Sequence, residues 1–325
     1  MDRSSGQKRA ADSFYPPIEP FDRRLLDVGD GHRIHVEQCG NPEGVPVMVF
    51  HGGPGGGASP GMRRFFDPSH YRVVLFDQRG CGRSTPHASA EANTTWHLVA
   101  DAERICDMLG IARFIAFGGS WGATLALVHA LSHPERVLHL VLRSVFLATR
   151  AELDWFYGGG VGRFFPEMWE EFRGAIPAGE RDDLITAYHR RLFSGDGATE
   201  LRHARIWAQW ENALSTLQGG FAGHGAPDHV LAFSRLENHY FINGAFLDED
   251  GWILRKRGRI EHLAADIVQG RYDMVCPPAS AWALARGWER ARLHMVPLAG
   301  HALSEAGISA ALIAVMDGLR GRYTG

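Results

Sequence analysis

The stretch at 117–130, FGGSWGATLALVHA, constrains the fold more than any other part of the chain. It starts as the end of a short apolar run and continues as a helix-like run poor in β-branched residues, with Ser120 at the turn between them. A side chain at a sharp strand-to-helix turn is presented outward only when the backbone is strained. Residues two places away on either side then have no room for side chains. Gly118 and Gly122 meet that demand. The helix that starts after the serine points free amide hydrogens back at its hydroxyl, where negative charge could develop. An ordinary glycine-rich βα turn has the same G-x-S-x-G spacing, so its meaning rests on what surrounds it.

The surroundings read as an open α/β sheet. A turn at GDG, 29–31, before the alternating RIHVE, 33–37, predicts a hairpin. PVMVFHGG at 46–53 and YRVVLFDQRG at 71–80 are continuous apolar runs ending in glycine, the mark of strands buried on both faces. TTWHLVADAERICDMLG at 94–110 has helical spacing and stops at Gly110. A strand at 113–119, a helix from about 121 to 132 and a strand at 137–144 follow. Strands alternating with helices imply right-handed crossovers onto a mostly parallel sheet with helices on both faces. From 151 to 260 the pattern turns helical and rich in Trp, Phe, Glu and Arg. Strand runs return at 265–273 and 291–300 before a closing helix. The expected organisation is an N-terminal arm over 1–20, a core over 21–150 and 261–325, and an inserted helical cap over 151–260.

Several classes of function are excluded by composition. A net charge of -3 gives no electrostatic case for nucleic acid or an anionic membrane. No apolar run reaches the ~18 residues a membrane span needs, and the N-terminus lacks a secretory h-region. The basic run RKRGR at 255–259 reads as a solvated loop. Four scattered cysteines without a C-x-x-C pair predict a reduced, cytoplasmic protein. No metal-binding spacing such as H-E-x-x-H appears, and no cofactor is expected. The number of copies in the assembly is left open, a homo-oligomer included.

A serine hydroxyl needs a base, and the base needs an orienting acid. Behind an elbow of this kind these follow in chain order as acid, then histidine. Asp273 lies just past one buried-strand run and His301 just past the last, both at carboxyl ends of parallel strands, where such sheets carry sites. HGGPGGG at 51–57 follows an early strand and offers a backbone donor for an oxyanion, so the oxyanion hole is assigned to the N–H groups of Gly53 and Trp121. The rival reading of that loop, a phosphate cradle, lacks the Lys-Ser/Thr or ribose-binding acid it would need. Cys276, three residues past Asp273, reads as a buried small residue that could crowd the site if modified.

HGGPGGG, FDQRGCGRSTPHA at 76–88, GGSWGATLAL at 118–127 and GRYDMVCPP at 270–278 together resemble the proline iminopeptidases, which are α/β-hydrolases with a helical cap. The resemblance runs from YPPIEP at 15–20 to the end. It departs at Ala123, where serine is the more usual residue. It implies release of N-terminal proline from small peptides, with Ser120 as nucleophile, Asp273 as orienting acid and His301 as base, then acid. It further implies that Glu211 in WAQWE and Glu237 in SRLENHYF bind the free imino group, and that Phe146, Phe241 and Tyr157 line the proline pocket. Physical chemistry agrees: only the cationic amine marks a chain end, and carboxylates facing it make charge-assisted hydrogen bonds that an internal prolyl nitrogen cannot. Two other readings stay open here. The same core could serve as an esterase, amide hydrolase or lactonase, or as a binding protein built on a decayed hydrolase.

Overall fold

The computed structural model describes residues 14–217 and 225–323. Its strands are β1 (Asp22–Gly29), β2 (His32–Gly40), β3 (Val45–Phe50), β4 (Tyr71–Phe76), β5 (Phe114–Ser120), β6 (Val137–Val145), β7 (Ala265–Gly270) and β8 (Ala291–Val296). They form one sheet in the order β1-β2-β4-β3-β5-β6-β7-β8. β1 and β2 are the expected hairpin, antiparallel to each other, and β2 runs antiparallel to β4; the remaining pairs are parallel.

The continuous apolar runs are explained by two cores, one on each face. Val45, Val47 and Val49 of β3 join Val73 and Leu75 of β4 on one side. There they pack with Ile308, Leu312 and Met316 of the closing helix, α10 (Ala306–Leu319). Met48, Phe50, Val74 and Phe76 point to the other side. They pack there with α1 (Thr95–Leu109) and α2 (Trp121–Ser132). Each such side chain contributes about 1.5–3 kcal/mol on burial. α1 starts at Thr94, whose side chain accepts the His97 N–H, and stops at Gly110, which adopts a left-handed φ of 66°.

Between β6 and β7 the chain is helical: α3 (Arg150–Tyr157), α4 (Pro166–Gly174), α5 (Leu184–Leu192), α6 (Gly197–Leu214), α7 (Pro227–Ile242) and α8 (Trp252–Lys256). Aromatic rings bind these helices together. Tyr157 stacks on Trp207 at 4.5 Å and Phe172 on Tyr188 at 4.6 Å, and Trp210 lies 5.6 Å from Phe172. The helix α9 (Pro278–Ala285) lies between β7 and β8.

The structure departs from the sequence reading in two places. Residues 1–13 of the expected arm lie outside the described residues, but from Phe14 onward the chain is packed. Phe14 meets the Phe65 ring edge-on at 5.1 Å, and the Tyr15 hydroxyl donates to Asp317 at 2.6 Å. Polar composition hid two aromatic anchors. The basic run at 255–259 ends α8 and forms a short 3₁₀ turn. Arg257 there donates to the carbonyls of Ala283, Leu284 and Arg286, the unpaired acceptors at the end of α9.

Candidate active site

The elbow is as tight as its glycines require. β5 ends and α2 begins around Ser120, whose φ of 58° and ψ of -129° lie outside the regions open to ordinary residues. Such a conformation costs on the order of 1–3 kcal/mol. A Cβ on Gly118 would collide with the Gly122 carbonyl, and one on Gly122 with the Phe50 carbonyl at the end of β3. The serine is thereby lifted into a small cavity.

The other two candidate catalytic side chains meet at the carboxyl ends of β7 and β8. His301 Nδ1 lies 3.0 Å from each carboxylate oxygen of Asp273. Asp273 also accepts the backbone N–H groups of Val275 at 3.1 Å and Cys276 at 2.8 Å. Burial alone would raise its pKa; the neighbouring His301 and these donors instead hold it below the ordinary carboxylate value. Asp273 therefore stays ionised and fixes the His301 proton on Nδ1, leaving Nε2 as an acceptor. That nitrogen accepts from Arg143 Nη1 at 3.3 Å. Among the described residues no hydrogen bond joins Ser120 Oγ to His301, so the structure unites the acid with the histidine and holds the serine in the adjoining cavity.

The loop at 51–57 is braced by two residues that sequence reasoning left without a role. His51 Nδ1 donates to the Gly52 carbonyl at 2.9 Å, and its Nε2 accepts the Gln78 N–H at 3.0 Å. The Gln78 side chain donates to the His51 carbonyl at 2.9 Å and accepts from Trp121 Nε1 at 3.0 Å. One glutamine thus ties the loop bearing Gly53 to the helix that starts at Trp121. The signal was present in the D-Q-R-G run, which shares the resemblance but carries no chemistry of its own. Gly53 lines the Ser120 cavity and has a φ of 112°, which L side chains avoid.

All five expected substrate-binding residues line that cavity: Glu211, Glu237, Phe146, Phe241 and Tyr157. The Phe146 and Phe241 rings meet edge-on at 5.6 Å, with Tyr157 5.7 Å from Phe241. Glu237 Oε2 accepts Trp207 Nε1 at 2.5 Å. Among the described residues no nitrogen donor meets Glu211 Oε2 or the Tyr157 hydroxyl; both face the Glu237 carboxyl instead. Burial, and then the like charge of Glu211, push the Glu237 pKa well above the ordinary carboxylate value. Tyr157 is raised as well, by burial and then by both glutamates. A third carboxylate, Glu152, lines the same cavity but is saturated. It accepts the Leu147 and Thr149 N–H groups and the hydroxyls of Thr149 and Ser280. Cys276 also faces the cavity, its thiol pKa raised by burial and by Asp273, so it stays a neutral thiol.

The sheet order, the elbow and its flanking loops define an α/β-hydrolase. The family model described as alpha/beta hydrolase fold matches residues 45–307. A crystal structure of a proline iminopeptidase from Mycobacterium smegmatis superposes with a TM-score of 0.59 at 20% identity, covering 93% of this chain and 98% of that one. At that identity the likeness speaks for the fold alone. A proline iminopeptidase of Xylella fastidiosa is 51% identical over 308 residues, covering 94% of this chain and 98% of the relative. One from Arabidopsis thaliana is 48% identical, covering 95% of this chain and 82% of the relative. The chain belongs to the proline iminopeptidase family.

Proposed function

We propose that this enzyme releases N-terminal proline from small peptides by an acyl-enzyme mechanism, with residues 151–260 acting as a cap that reads the free imino group. The supporting observation is the pair of buried carboxylates, Glu211 and Glu237, in the cavity that holds Ser120. Among the described residues Glu211 Oε2 meets no nitrogen donor, and Glu237 is pushed toward its neutral form by its neighbour. A cation placed between them satisfies both, whereas an uncharged prolyl nitrogen leaves at least one buried and unpaired. Phe146, Phe241 and Tyr157 give the small apolar ring its walls.

With the imino group anchored, the prolyl carbonyl lies beside Ser120. His301, oriented by ionised Asp273, takes the serine proton as the hydroxyl oxygen attacks. The N–H groups of Gly53 and Trp121 receive the oxyanion. His301 then protonates the leaving amine, the peptide bond breaks, and a prolyl ester remains on Ser120. Water, deprotonated by His301, attacks the ester; His301 returns that proton to the Ser120 oxygen as the acyl bond breaks, and proline is released. The serine must first gain Nε2 as its acceptor, and catalytic hydrogen bonds often tighten only in the substrate complex. Four buried, unpaired cysteines suit a reducing, cytoplasmic setting.

The deciding measurement compares prolyl-2-naphthylamide with its N-acetyl derivative. The free secondary amine should be cleaved with a kcat/KM at least about 100-fold higher, since acetylation both removes the charge and strands the carboxylates. Comparable rates, or faster hydrolysis of short uncharged esters, would point to an esterase and defeat the reading.

A further inference from the structure

A second, small cavity lies on the other side of the elbow. It is lined by His51, Gly52, Phe117, Gly119, Arg143 and Leu303, among others. The two cavities meet across the Gly52–Gly53 and Gly119–Ser120 peptides, since Gly53 and Ser120 line one and Gly52 and Gly119 the other. The second contains a buried guanidinium that makes no salt bridge among the described residues; burial lowers its pKa, and the carboxylates of Asp273 and Glu211 favour its charge only from a distance. Arg143, only 9% exposed, is placed at the end of β6 beside Gly119. Its guanidinium lies flat against that glycine, where a Cβ would come within 2.5–2.6 Å of Nε, Nη2 and Cζ. Its hydrogen bonds among the described residues run from Nη1 to the His301 carbonyl at 3.0 Å and to His301 Nε2 at 3.3 Å. Nε is buried and unpartnered. Leaving a buried cation so poorly matched is costly unless a ligand completes it.

The neighbour of Arg143 identifies that ligand. Nε2 is the atom that hands its proton to the leaving amine. In a dipeptide the carboxyl carbon is bonded to the carbon that bears this amine, so the carboxylate arrives beside whatever flanks Nε2. We propose that Arg143 binds the α-carboxylate of the residue following proline, so that dipeptides with a free C-terminus are the preferred substrates. This rests on the prolyl aminopeptidase reading above. The guanidinium offers the paired donors that a carboxylate accepts, and on moving to it releases Nε2 for Ser120.

The test is kcat/KM of the full-length enzyme for Pro-Ala, Pro-Ala amide and prolyl-2-naphthylamide, in the wild type and in Arg143→Gln and Arg143→Lys. The wild type should favour Pro-Ala over its amide by about 10-fold or more, the worth of one charged hydrogen bond. Arg143→Gln should bring that ratio close to one and Arg143→Lys should keep part of it. A merely structural role lowers both rates and leaves the ratio unchanged, which would overturn the proposal, as would a wild-type ratio near one. If Arg143→Gln does not fold, the wild-type ratio and Arg143→Lys still decide. Loss of the preference in millimolar chloride or phosphate would mark a general anion site and equally refute the assignment. Failure to cleave prolyl-2-naphthylamide at all would instead sink the parent reading.

Discussion

Glu211→Gln tests the pairing of the two cap carboxylates by moving two observables in opposite senses. The substitution removes a charge from the cavity while keeping size and an acceptor oxygen. A charge-assisted hydrogen bond to the substrate's secondary amine is worth about 1.5–3 kcal/mol, so plateau kcat/KM for prolyl-2-naphthylamide should fall about 10- to 100-fold. The pH dependence should change too. In the free enzyme the Glu237 pKa stands above the ordinary carboxylate value, first through burial and then through Glu211. The amine binds best when Glu237 is ionised, so kcat/KM rises as pH climbs through that raised pKa. Without the like charge at 211 the Glu237 pKa drops, and the acid limb should move to lower pH even as the plateau falls. The profile is measured from pH 5 to 9 beside an uncharged short ester, whose acid limb comes from the catalytic base alone. Equal losses on both substrates, or an acid limb that stays put or moves upward, would refute a coupled carboxylate pair.

Two further outcomes follow from the same geometry. Glu237→Gln should lose prolyl activity yet unfold at a higher temperature. A carboxyl whose folded pKa is raised loses folded-state stability as pH climbs from the ordinary value to the raised one, so the amide gains nothing below that window and its full advantage above it. Calorimetry should find Tm higher by about 1.5 °C or more at pH 8, the shift that 1 kcal/mol gives in a chain of 325 residues, and unchanged at pH 4. Gln78→Ala should lower kcat by about 10- to 100-fold, less than loss of an oxyanion donor itself, with KM little altered. A change in KM alone would show that the Gln78 bridge does not act on the oxyanion.

How much of this was legible in the sequence follows from the range of the forces involved. The strands and the elbow are short-range: apolar runs, stopping glycines and the G-x-S-x-G spacing each act within a few residues, and β5, Ser120 and α2 fall where those signals place them. Asp273 and His301 could be singled out because each directly follows a strand of a parallel sheet. Gln78 and His51 could not be assigned, because the bridge they form joins residues 27 and 43 positions apart; Glu152 is mostly tied by a local capping box, and only its bond to Ser280 is long-range. Arg143 was missed for the opposite reason: on a strand it reads as one more edge charge, and only the sheet register beside Gly119 buries it. The anchoring of Phe14 and Tyr15 depends on Phe65 and Asp317, which local composition does not reveal.

The same long-range bonding joins the Glu211 helix to the His301 loop. Glu211 sits near the end of α6, and one turn further on the Ser215 carbonyl accepts the N–H groups of both His301, at 3.0 Å, and Ala302, at 2.7 Å. The Glu305 carboxylate accepts the Leu217 N–H at 2.6 Å, fastening the same helix end to the loop before α10. A helix is stiff along its axis because each turn is bonded to the next. A shift of Glu211 along that axis therefore carries the backbone of His301 with it. In the proposed mechanism discrimination against blocked or internal proline then belongs partly to kcat, because Glu211 and His301 hang from one hydrogen-bonded unit.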